Sequence, residues 1–202
     1  RRVIARFAML SAPPCETLLG DSPAAKRVRA QVADAAARDC PVLLEGERGT
    51  GRELVARVLH AASARRGAGF VRIDNEFFER QRVQEKLRRA VGGTLLVKEV
   101  AQMGRAPQRQ LLDLLRQAED ATEPAERKPD GTVRILASSG VDLAVAVRAG
   151  LFDEETYQRL GGTRIMLPTL RSRPDDVPAL AEHFLQTLLT ELNREPLAFS
   201  SR

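Results

Sequence analysis

Short apolar runs and helical stripes of apolar residues alternate along this chain of 202 residues. The apolar runs predict buried strands over residues 41–45, 70–73, 94–97, 133–137 and 164–167. Apolar residues at helical spacing predict helices over residues 23–37, 52–64, 76–90, 106–118, 142–160 (two short helices) and 175–192. Because strands alternate with helices, we expect a three-layer α/β fold in which helices cover both faces of a five-stranded, mainly parallel sheet.

Individual residues mark the ends of these elements. Ser22 followed by Pro23 is typical of a helix start, since serine caps free N–H groups and proline suits the first helical position. The helix predicted over 76–90 would turn its apolar residues inward, namely Phe77, Val83, Leu87 and Val91. The polar segment 119–131 predicts a mobile surface loop.

The ends of the predicted strands are where chemistry is expected. Parallel strands end at one edge of a sheet, and ligands of such sheets bind outside those ends. Here the ends carry Glu45, Gly46, Asp74, Lys98, Glu99, Ser138 and Ser139. We therefore expect these residues to meet on one rim.

The most informative segment is GERGTGRE, residues 46–53, between the first strand and a helix. This is the placement of a P-loop, G-x-x-x-x-G-K-[ST], whose backbone N–H groups point at a phosphate. The predicted nucleotide-binding residues are Gly46, Glu47, Arg48, Gly49, Thr50, Gly51, Arg52 and Glu53. Arg52 replaces the lysine and must displace something to fit, since it is longer and planar. Glu53 replaces the hydroxyl that binds Mg²⁺, and a glycine-rich turn without any ligand remains an alternative.

The third strand ends in Lys98 and Glu99, where a P-loop ATPase carries a pair of acidic residues. A lysine repels Mg²⁺ and cannot coordinate it, so no metal ligand is predicted here. Glu99 keeps the position that orients the attacking water. We expect Lys98 to form a local ion pair with Glu53 or Glu99, and a second interpretation places its ammonium where the metal would be.

Composition gives only weak information about partners and cellular location. The formal net charge is +5 and the isoelectric point is about 9.8, which favours polyanion partners weakly. Aromatic residues make up 4% of the chain, which argues against a stacking platform for single-stranded nucleic acid. No apolar run is long enough to span a membrane. Cys15 and Cys40 are expected to be free thiols in the cytoplasm.

Several ordered motifs resemble the central AAA+ domain of NtrC-type bacterial enhancer-binding proteins, the sigma-54-dependent transcription activators. LLEGERGTGRELVARVLHAAS is similar to the family's GESGTGKELVARAIH, and GGTLLVKEV is similar to GGTLFLDEI. VRILASSGVDL stands where the family has VRIIAATNRDL. The resemblance runs from Leu19 to Arg202 and implies an AAA+ P-loop fold. It implies an α/β core over 21–172, the start of a helical lid over 173–202, and a linker or N-terminal extension over 1–20.

Five departures from the family pattern affect five different steps. The Walker A lysine becomes Arg52, the Walker B aspartate becomes Lys98, and the sensor I asparagine becomes Gly140. Of two arginines that the family directs at a neighbouring subunit's nucleotide, the first is Asp153 and the second is kept as Arg159. The GAFTGA loop that grips the sigma factor is absent, since residues 75–91 hold one plain helix at most.

These departures predict a degenerate AAA+ module that has lost ATP hydrolysis and sigma-54 remodelling, with Glu99 and Arg159 as vestigial catalytic residues. It would act as an oligomerisation, ligand-sensing or regulatory platform in a bacterial, two-component-type regulator. ATP or ADP would bind weakly, with Mg²⁺ left open. Expected partners are further copies or homologous AAA+ subunits, and DNA through a domain outside this chain, with no membrane.

Three alternatives stay open. A slow ATPase would use Arg52 and Glu99 with an unusual cation arrangement. A module that binds nucleotide without turnover would do so independently of Mg²⁺ if Lys98 replaces the metal. A third possibility is another phosphate ligand, such as a cyclic dinucleotide held by Arg48 and Arg52.

Overall fold

The computed structural model describes residues 18–75, 78, 80–120, 131–192 and 194. Within these residues, one sheet contains the strands β1 (Val42–Glu45), β2 (Phe70–Asp74), β3 (Thr94–Lys98), β4 (Arg134–Ser139) and β5 (Arg164–Met166). Its strand order is β2-β3-β4-β1-β5, and each neighbouring pair is parallel. The predicted five-stranded sheet is confirmed, and it is parallel throughout.

Helices connect the strands and cover the sheet. They are α1 (Pro23–Ala37), α2 (Arg52–Ala61), α3 (Arg80–Ala90), α4 (Arg105–Asp120), α5 (Leu143–Arg148), α6 (Glu154–Leu160) and α7 (Val177–Glu191). Across the described ranges, none of the helices combines the length and the apolar character that crossing a membrane requires.

Alternate side chains of the three central strands, β1, β3 and β4, enter two separate cores, as the period of two in a strand requires. Leu43 enters the core formed with α3, α4, α5 and α6. Its neighbours Val42 and Leu44 enter the core formed with α1 and α2. Because both faces of the sheet are buried in this way, the predicted three-layer arrangement is confirmed.

Some element ends differ from the predictions. α2 stops at Ala61 because Ser63 bonds its hydroxyl to the His60 carbonyl at 2.8 Å in the turn that follows. β4 extends to Ser139, so it carries its pairing with β1 to the rim. α4 continues to Asp120, which shortens the predicted loop, and α7 begins only at Val177 after a 3₁₀ turn.

One predicted core position was wrong. Val91 is 51% exposed, because α3 ends at the buried Ala90 and the chain turns at that point. Val83 is buried as predicted, and Leu87 packs against the same core. Phe77, most of the predicted linker 1–20, the centre of the loop 119–131, the chain end 195–202 and Cys15 lie outside the described residues. The domain boundaries therefore stay predictions.

The strand order brings the polar strand ends onto one rim. In the parallel register, Glu45 lies opposite Ser139 and Asp74 lies opposite Lys98. β4 lies between β1 and β3, so the end of β4 separates the loop after β1 from the end of β3. The residue that follows Ser139 must therefore fit between the loop after β1 and the end of β3.

Candidate functional site

The loop after β1 forms a compact turn that leads directly into α2. Gly49 and Gly51 adopt positive φ angles of 90° and 93°, a conformation that glycine accepts readily. The Thr50 hydroxyl donates to the Glu47 carbonyl at 2.8 Å, which closes the turn. Gly51 provides no side-chain cap, so the first N–H groups of α2 are free to meet an anion. We call this loop, residues 46–53, the cradle.

The charged side chains of the cradle point in different directions. Glu47 is ion-paired with Arg171, whose Nη1 lies 2.9 Å from Oε2, and this hydrogen bond lowers the pKa of Glu47. Arg48 is exposed to solvent. Arg52 instead turns inward and is only 9% exposed. Arg52 is thus the cradle cation that lies within the protein.

Arg52 and Glu99 form a direct ion pair, although they follow different strands. Nη2 of Arg52 donates to Oε1 of Glu99 at 2.6 Å. The other carboxylate oxygen, Oε2, accepts the backbone N–H of Gly140 at 3.0 Å. Both oxygens of Glu99 are therefore engaged. Nη1 of Arg52 is buried and has no hydrogen-bond partner in the described part of the chain.

Gly140 leaves the space that this ion pair occupies. A Cβ atom at position 140 would lie 3.1 Å from Oε2 of Glu99 and 3.7 Å from Nη1 of Arg52. A longer side chain, such as the asparagine implied by the family resemblance, would meet both groups. The arginine therefore fits because position 140 carries no side chain.

Lys98 lies at the end of β3 between two carboxylates. Its Nζ atom is 2.9 Å from Asp74 and 3.5 Å from Glu53, which confirms the predicted pair with Glu53 and adds a closer partner. Glu53 also accepts from Arg72 at 2.7 Å and from Arg57 at 3.1 Å. Burial acts to raise the pKa of Glu53, but these cations outweigh it, so its pKa lies below the ordinary value.

The rim does not fit Mg²⁺. This ion requires oxygen ligands in near-octahedral geometry, and the Lys98 ammonium occupies the space beside Asp74 and Glu53. The carboxylates of Asp74 and Glu53 are already ion-paired with cationic side chains. Across the described ranges, no group of three or more His, Cys, Asp or Glu residues could hold a metal ion.

Other rim residues support the fold. Glu45 is fully buried and accepts from the Leu143 backbone N–H at 2.8 Å and from Arg164 Nε at 2.9 Å. Ser139 donates its hydroxyl to the Val141 carbonyl at 2.6 Å. These bonds brace β5, α5 and the loop after β4, so the rim divides into a supporting part and the cradle.

An apolar cavity of about 200 Å³ adjoins Gly49, Thr50 and Gly51. Its walls come from α1 and the segment before it, from α2, from the segment after β5 and from α7, and include Leu18, Leu19, Leu167, Pro168, Leu180 and Phe184. Arg173 also lines it, and its Nε atom is buried without a hydrogen-bond partner in the described chain. Largely apolar clefts with a few polar groups are typical of small-molecule sites.

The cavity is the part of the site that the sequence did not predict. Its wall combines segments far apart in the chain. The available signal was the apolar pair Leu18 and Leu19 immediately before α1, which belongs to no predicted element. Nothing in their spacing places them against the cradle.

Arg159 and Asp153 are not brought to the cradle. Arg159 donates to Glu155 at 3.0 Å and is ion-paired with Glu119, so its described partners lie on α6 and α4. Asp153 caps α6 by accepting from the Thr156 backbone N–H at 2.8 Å and from the Thr156 hydroxyl at 2.7 Å. These hydrogen bonds lower the pKa of Asp153. Asp153 thus has a local structural role.

Comparison with known proteins gives a consistent set of relatives. A family model described as the sigma-54 interaction domain matches residues 19–170. The chain is 35% identical to the DNA-binding transcriptional regulator NtrC of Azospirillum brasilense over 187 residues, covering 83% of this chain and 39% of that protein. It is 34% identical to the transcriptional regulatory protein ZraR of Salmonella typhimurium, covering 88% of this chain and 44% of that protein. The chain thus spans less than half the length of these relatives.

Comparison with solved structures points to the same family of folds. The structure of NtrX from Brucella abortus in complex with ATP superimposes with a TM-score of 0.79 at 26% identity, covering 99% of this chain and 47% of that one. The same protein in complex with ADP gives a TM-score of 0.78. The P-loop NTPase domain of a sigma-54 activator from E. coli, at 21% identity, gives 0.58 over 75% of this chain and 99% of that one, which supports the fold alone. The predicted AAA+ P-loop fold is confirmed.

Proposed function

The chain belongs to the sigma-54 interaction domain family, and from this premise we propose that it is an AAA+ module that neither hydrolyses ATP nor remodels sigma-54 holoenzyme. It serves as an oligomerisation or ligand-sensing platform in a bacterial transcriptional regulator. DNA is contacted by a domain outside this chain, as the regulatory names of the longer relatives suggest.

The observation that carries the proposal is the ion pair between Arg52 and Glu99. A general base or water-orienting carboxylate needs an oxygen within reach of the attacking water. Here Arg52 holds one oxygen of Glu99 at 2.6 Å, and the N–H of Gly140 holds the other at 3.0 Å. Glu99 is therefore a structural partner of Arg52 and does not activate water.

The poor fit of Mg²⁺ supports the same proposal. Phosphoryl transfer in P-loop enzymes relies on a metal ion that bridges phosphate oxygens and neutralises developing charge. Lys98 can supply positive charge, but an ammonium cannot bridge and polarise two phosphate oxygens as a divalent cation does. The cradle therefore lacks a main source of transition-state stabilisation.

The connection from β2 to β3 supports the loss of remodelling. After β2 ends at Asp74, the chain reaches β3 at Thr94, and α3 takes up Arg80–Ala90 of that connection. The family's sigma-factor loop is an insertion in this connection, and the remaining residues are too few to form it. The module therefore lacks the contact with the sigma factor as well as the catalytic step.

A turnover assay tests the proposal. We expect phosphate release from Mg-ATP by the wild-type protein to equal that of the Glu99→Ala variant and of the blank. Glu85→Ala is the matched control, since Glu85 is an exposed glutamate on α3. Turnover above the blank that persists in Glu85→Ala and disappears in Glu99→Ala would overturn the proposal.

A slow, nucleotide-binding ATPase of a sigma-54-dependent activator is the second candidate. The retained Glu99 and the apolar cavity beside Gly51 favour it, and the related NtrX has been solved with ATP. The same assay separates the two candidates, because only the second predicts release that depends on Glu99.

Assembly is also part of the proposal. AAA+ modules of this family associate through a face that carries Arg159, and in this chain Arg159 is paired with Glu155 and Glu119 instead. Asp153 replaces a further cation there. We expect a monomer or dimer rather than a stable ring, measured by size-exclusion light scattering with and without nucleotide. A hexamer under both conditions would contradict this.

A further inference from the structure

We propose that the cradle binds a nucleoside diphosphate without any divalent cation, with Nη1 of Arg52 donating to its phosphates and Lys98 in the place of the metal. The inference rests on the proposed function in one respect, namely that the site has no catalytic metal. It adds the class of ligand and the way in which the ligand is held.

The first support is the buried, unpartnered nitrogen of Arg52. The side chain is about nine-tenths buried, and Nη1 has no acceptor in the described part of the chain. A buried donor left without an acceptor is unfavourable, and it is most unfavourable in a charged group. A phosphate oxygen would satisfy it, since guanidinium and phosphate form strong charge-assisted hydrogen bonds. The uncapped N–H groups at the start of α2, the helix that Arg52 begins, provide further donors.

The second support is the position of Lys98. Its ammonium is held by Asp74 at 2.9 Å and by Glu53 at 3.5 Å, at the strand end where the family binds its metal. An ammonium has three donors, and these two carboxylates leave capacity for a third acceptor. The side chain is 28% exposed, so a ligand in the cradle can reach it. Lys98 thus provides a fixed positive charge without any ion.

The limited positive charge favours a diphosphate over a triphosphate. Glu99, Asp74 and Glu53 all lie at the rim, and the Arg52 and Lys98 cations are shared with them. A third phosphate would add negative charge near the Glu99 carboxylate with no metal ion to neutralise it. We therefore expect ADP to bind more tightly than ATP.

The cavity identifies the ligand as a nucleoside compound rather than free phosphate. It adjoins Gly49–Gly51 and is mostly apolar, as a purine base requires. Arg173 contributes a buried, unpartnered Nε at its wall, which can donate to a base or ribose oxygen. The phosphate donors and the base pocket therefore lie side by side.

Calorimetric titration of the protein with ADP tests the inference. We expect the dissociation constants in EDTA and in MgCl₂ to agree within about twofold, whereas a metal-dependent site would differ tenfold or more. Lys98→Gln is expected to weaken ADP binding in EDTA by about tenfold, because the fixed cation is lost. Lys26→Gln, an exposed lysine on α1 that does not line the cavity, is the matched control and should bind as wild type does.

Because Lys98→Gln removes two ion pairs, its folding is checked by circular dichroism, and Arg52→Gln provides a second variant. Arg52→Gln lacks the guanidinium with its Nη1 donor and should also weaken ADP binding in EDTA. Each of four results would overturn the inference. ADP does not bind in EDTA, or Mg²⁺ tightens ADP binding tenfold. ATP binds more tightly than ADP, or Lys98→Gln binds ADP as wild type does. Displacement of ADP by cyclic di-AMP but not by pyrophosphate, with cyclic di-AMP the tighter ligand, would also overturn it.

The two proposals fail in different ways. Turnover of Mg-ATP that depends on Glu99 would remove the proposed function, whether or not ADP binds in EDTA. If there is no turnover but ADP binding depends on Mg²⁺, only the inference of metal-free ADP binding is overturned. The two assays share the same protein preparation, so each result can be assigned.

Discussion

Nη2 of Arg52 lies 2.6 Å from Oε1 of Glu99, and the backbone N–H of Gly140 donates to the other oxygen of the same carboxylate at 3.0 Å. The cation of the cradle and the carboxylate at the end of β3 are thus partners of each other. The absent side chain at position 140 provides the room for this contact. Arg52 and Gly140, which depart from the family pattern, and Glu99, which retains it, therefore form one packed unit.

This coupling predicts the result of restoring the family's asparagine. Gly140→Asn should lower the free energy of unfolding by about 1–3 kcal/mol, because its side chain enters the space held by Arg52 and Glu99. The loss should be smaller when Arg52→Lys is also present, since lysine vacates part of that space. Urea unfolding of the four proteins of the double-mutant cycle measures the coupling.

Gly67→Asn is the matched control for that cycle, because no atom of the described residues lies within 4 Å of a Cβ added at Gly67. Its effect should be small and independent of Arg52. Additivity of Gly140→Asn and Arg52→Lys within about 0.5 kcal/mol would show that the two positions are not coupled.

Placing a carboxylate at position 98 should create dependence on Mg²⁺. Lys98→Asp puts a third acidic side chain beside Asp74 and Glu53, so the variant should be less stable than wild type in EDTA. Millimolar Mg²⁺ should raise its melting temperature by about 2–4 °C, which corresponds to about 1 kcal/mol for a chain of this size. Lys98→Asn lacks the new charge, and an equal Mg²⁺ shift in this variant would contradict the explanation.

The environment of Glu53 predicts a dependence of stability on pH. The pKa of Glu53 lies below its usual value of 4.5, because its cationic partners outweigh the effect of burial. A carboxylate with a lowered folded-state pKa stabilises the fold above its unfolded-state pKa, and this contribution is lost as the pH falls through the folded-state value. The stability difference between wild type and Glu53→Gln should stay constant above about pH 5.5 and shrink below about pH 4.5.

Chemical unfolding of both proteins from pH 7 to pH 3 measures that difference. A difference that is as large at pH 3 as at pH 7 would mean that Glu53 contributes through packing and not through its charge.

Asp153 should behave as a helix cap. Asp153→Ala removes the acceptor of the Thr156 N–H and hydroxyl and should destabilise the protein by about 1 kcal/mol. Asp153→Asn keeps a capping oxygen and should lose much less. Urea unfolding compares them, and equal losses in both variants would argue that the negative charge, rather than the cap, is what matters.

Much of the fold followed from local patterns. The five strands, the start of α1 at Ser22 and Pro23, and the placement of the cradle before α2 were predicted because periodicity and capping residues act within a few positions. Val91 was misplaced because it lies beyond the end of α3 at Ala90, where the chain turns and helical periodicity no longer decides which side chains are buried.

The candidate site was predicted in part. The sequence identified Arg52, Lys98 and Glu99 as altered or retained working positions, because a motif fixes the position of each residue in a strand–loop–helix unit. It left open whether Lys98 pairs with Glu53 or Glu99, and it did not anticipate Asp74 as the closer partner at 2.9 Å. The apolar cavity, built from segments at both ends of the described chain, was not predicted at all.

The sequence alone thus determined the elements and their order, and it placed a lysine at the end of β3, since these depend on residue identity within short segments. Only the tertiary structure decided which charges pair. The strand order β2-β3-β4-β1-β5 inserts β4 between the cradle and Glu99, and the glycine that follows β4 lets Arg52 reach across. Such contacts depend on how distant segments pack in three dimensions, and hydrophobic periodicity carries no information about that packing.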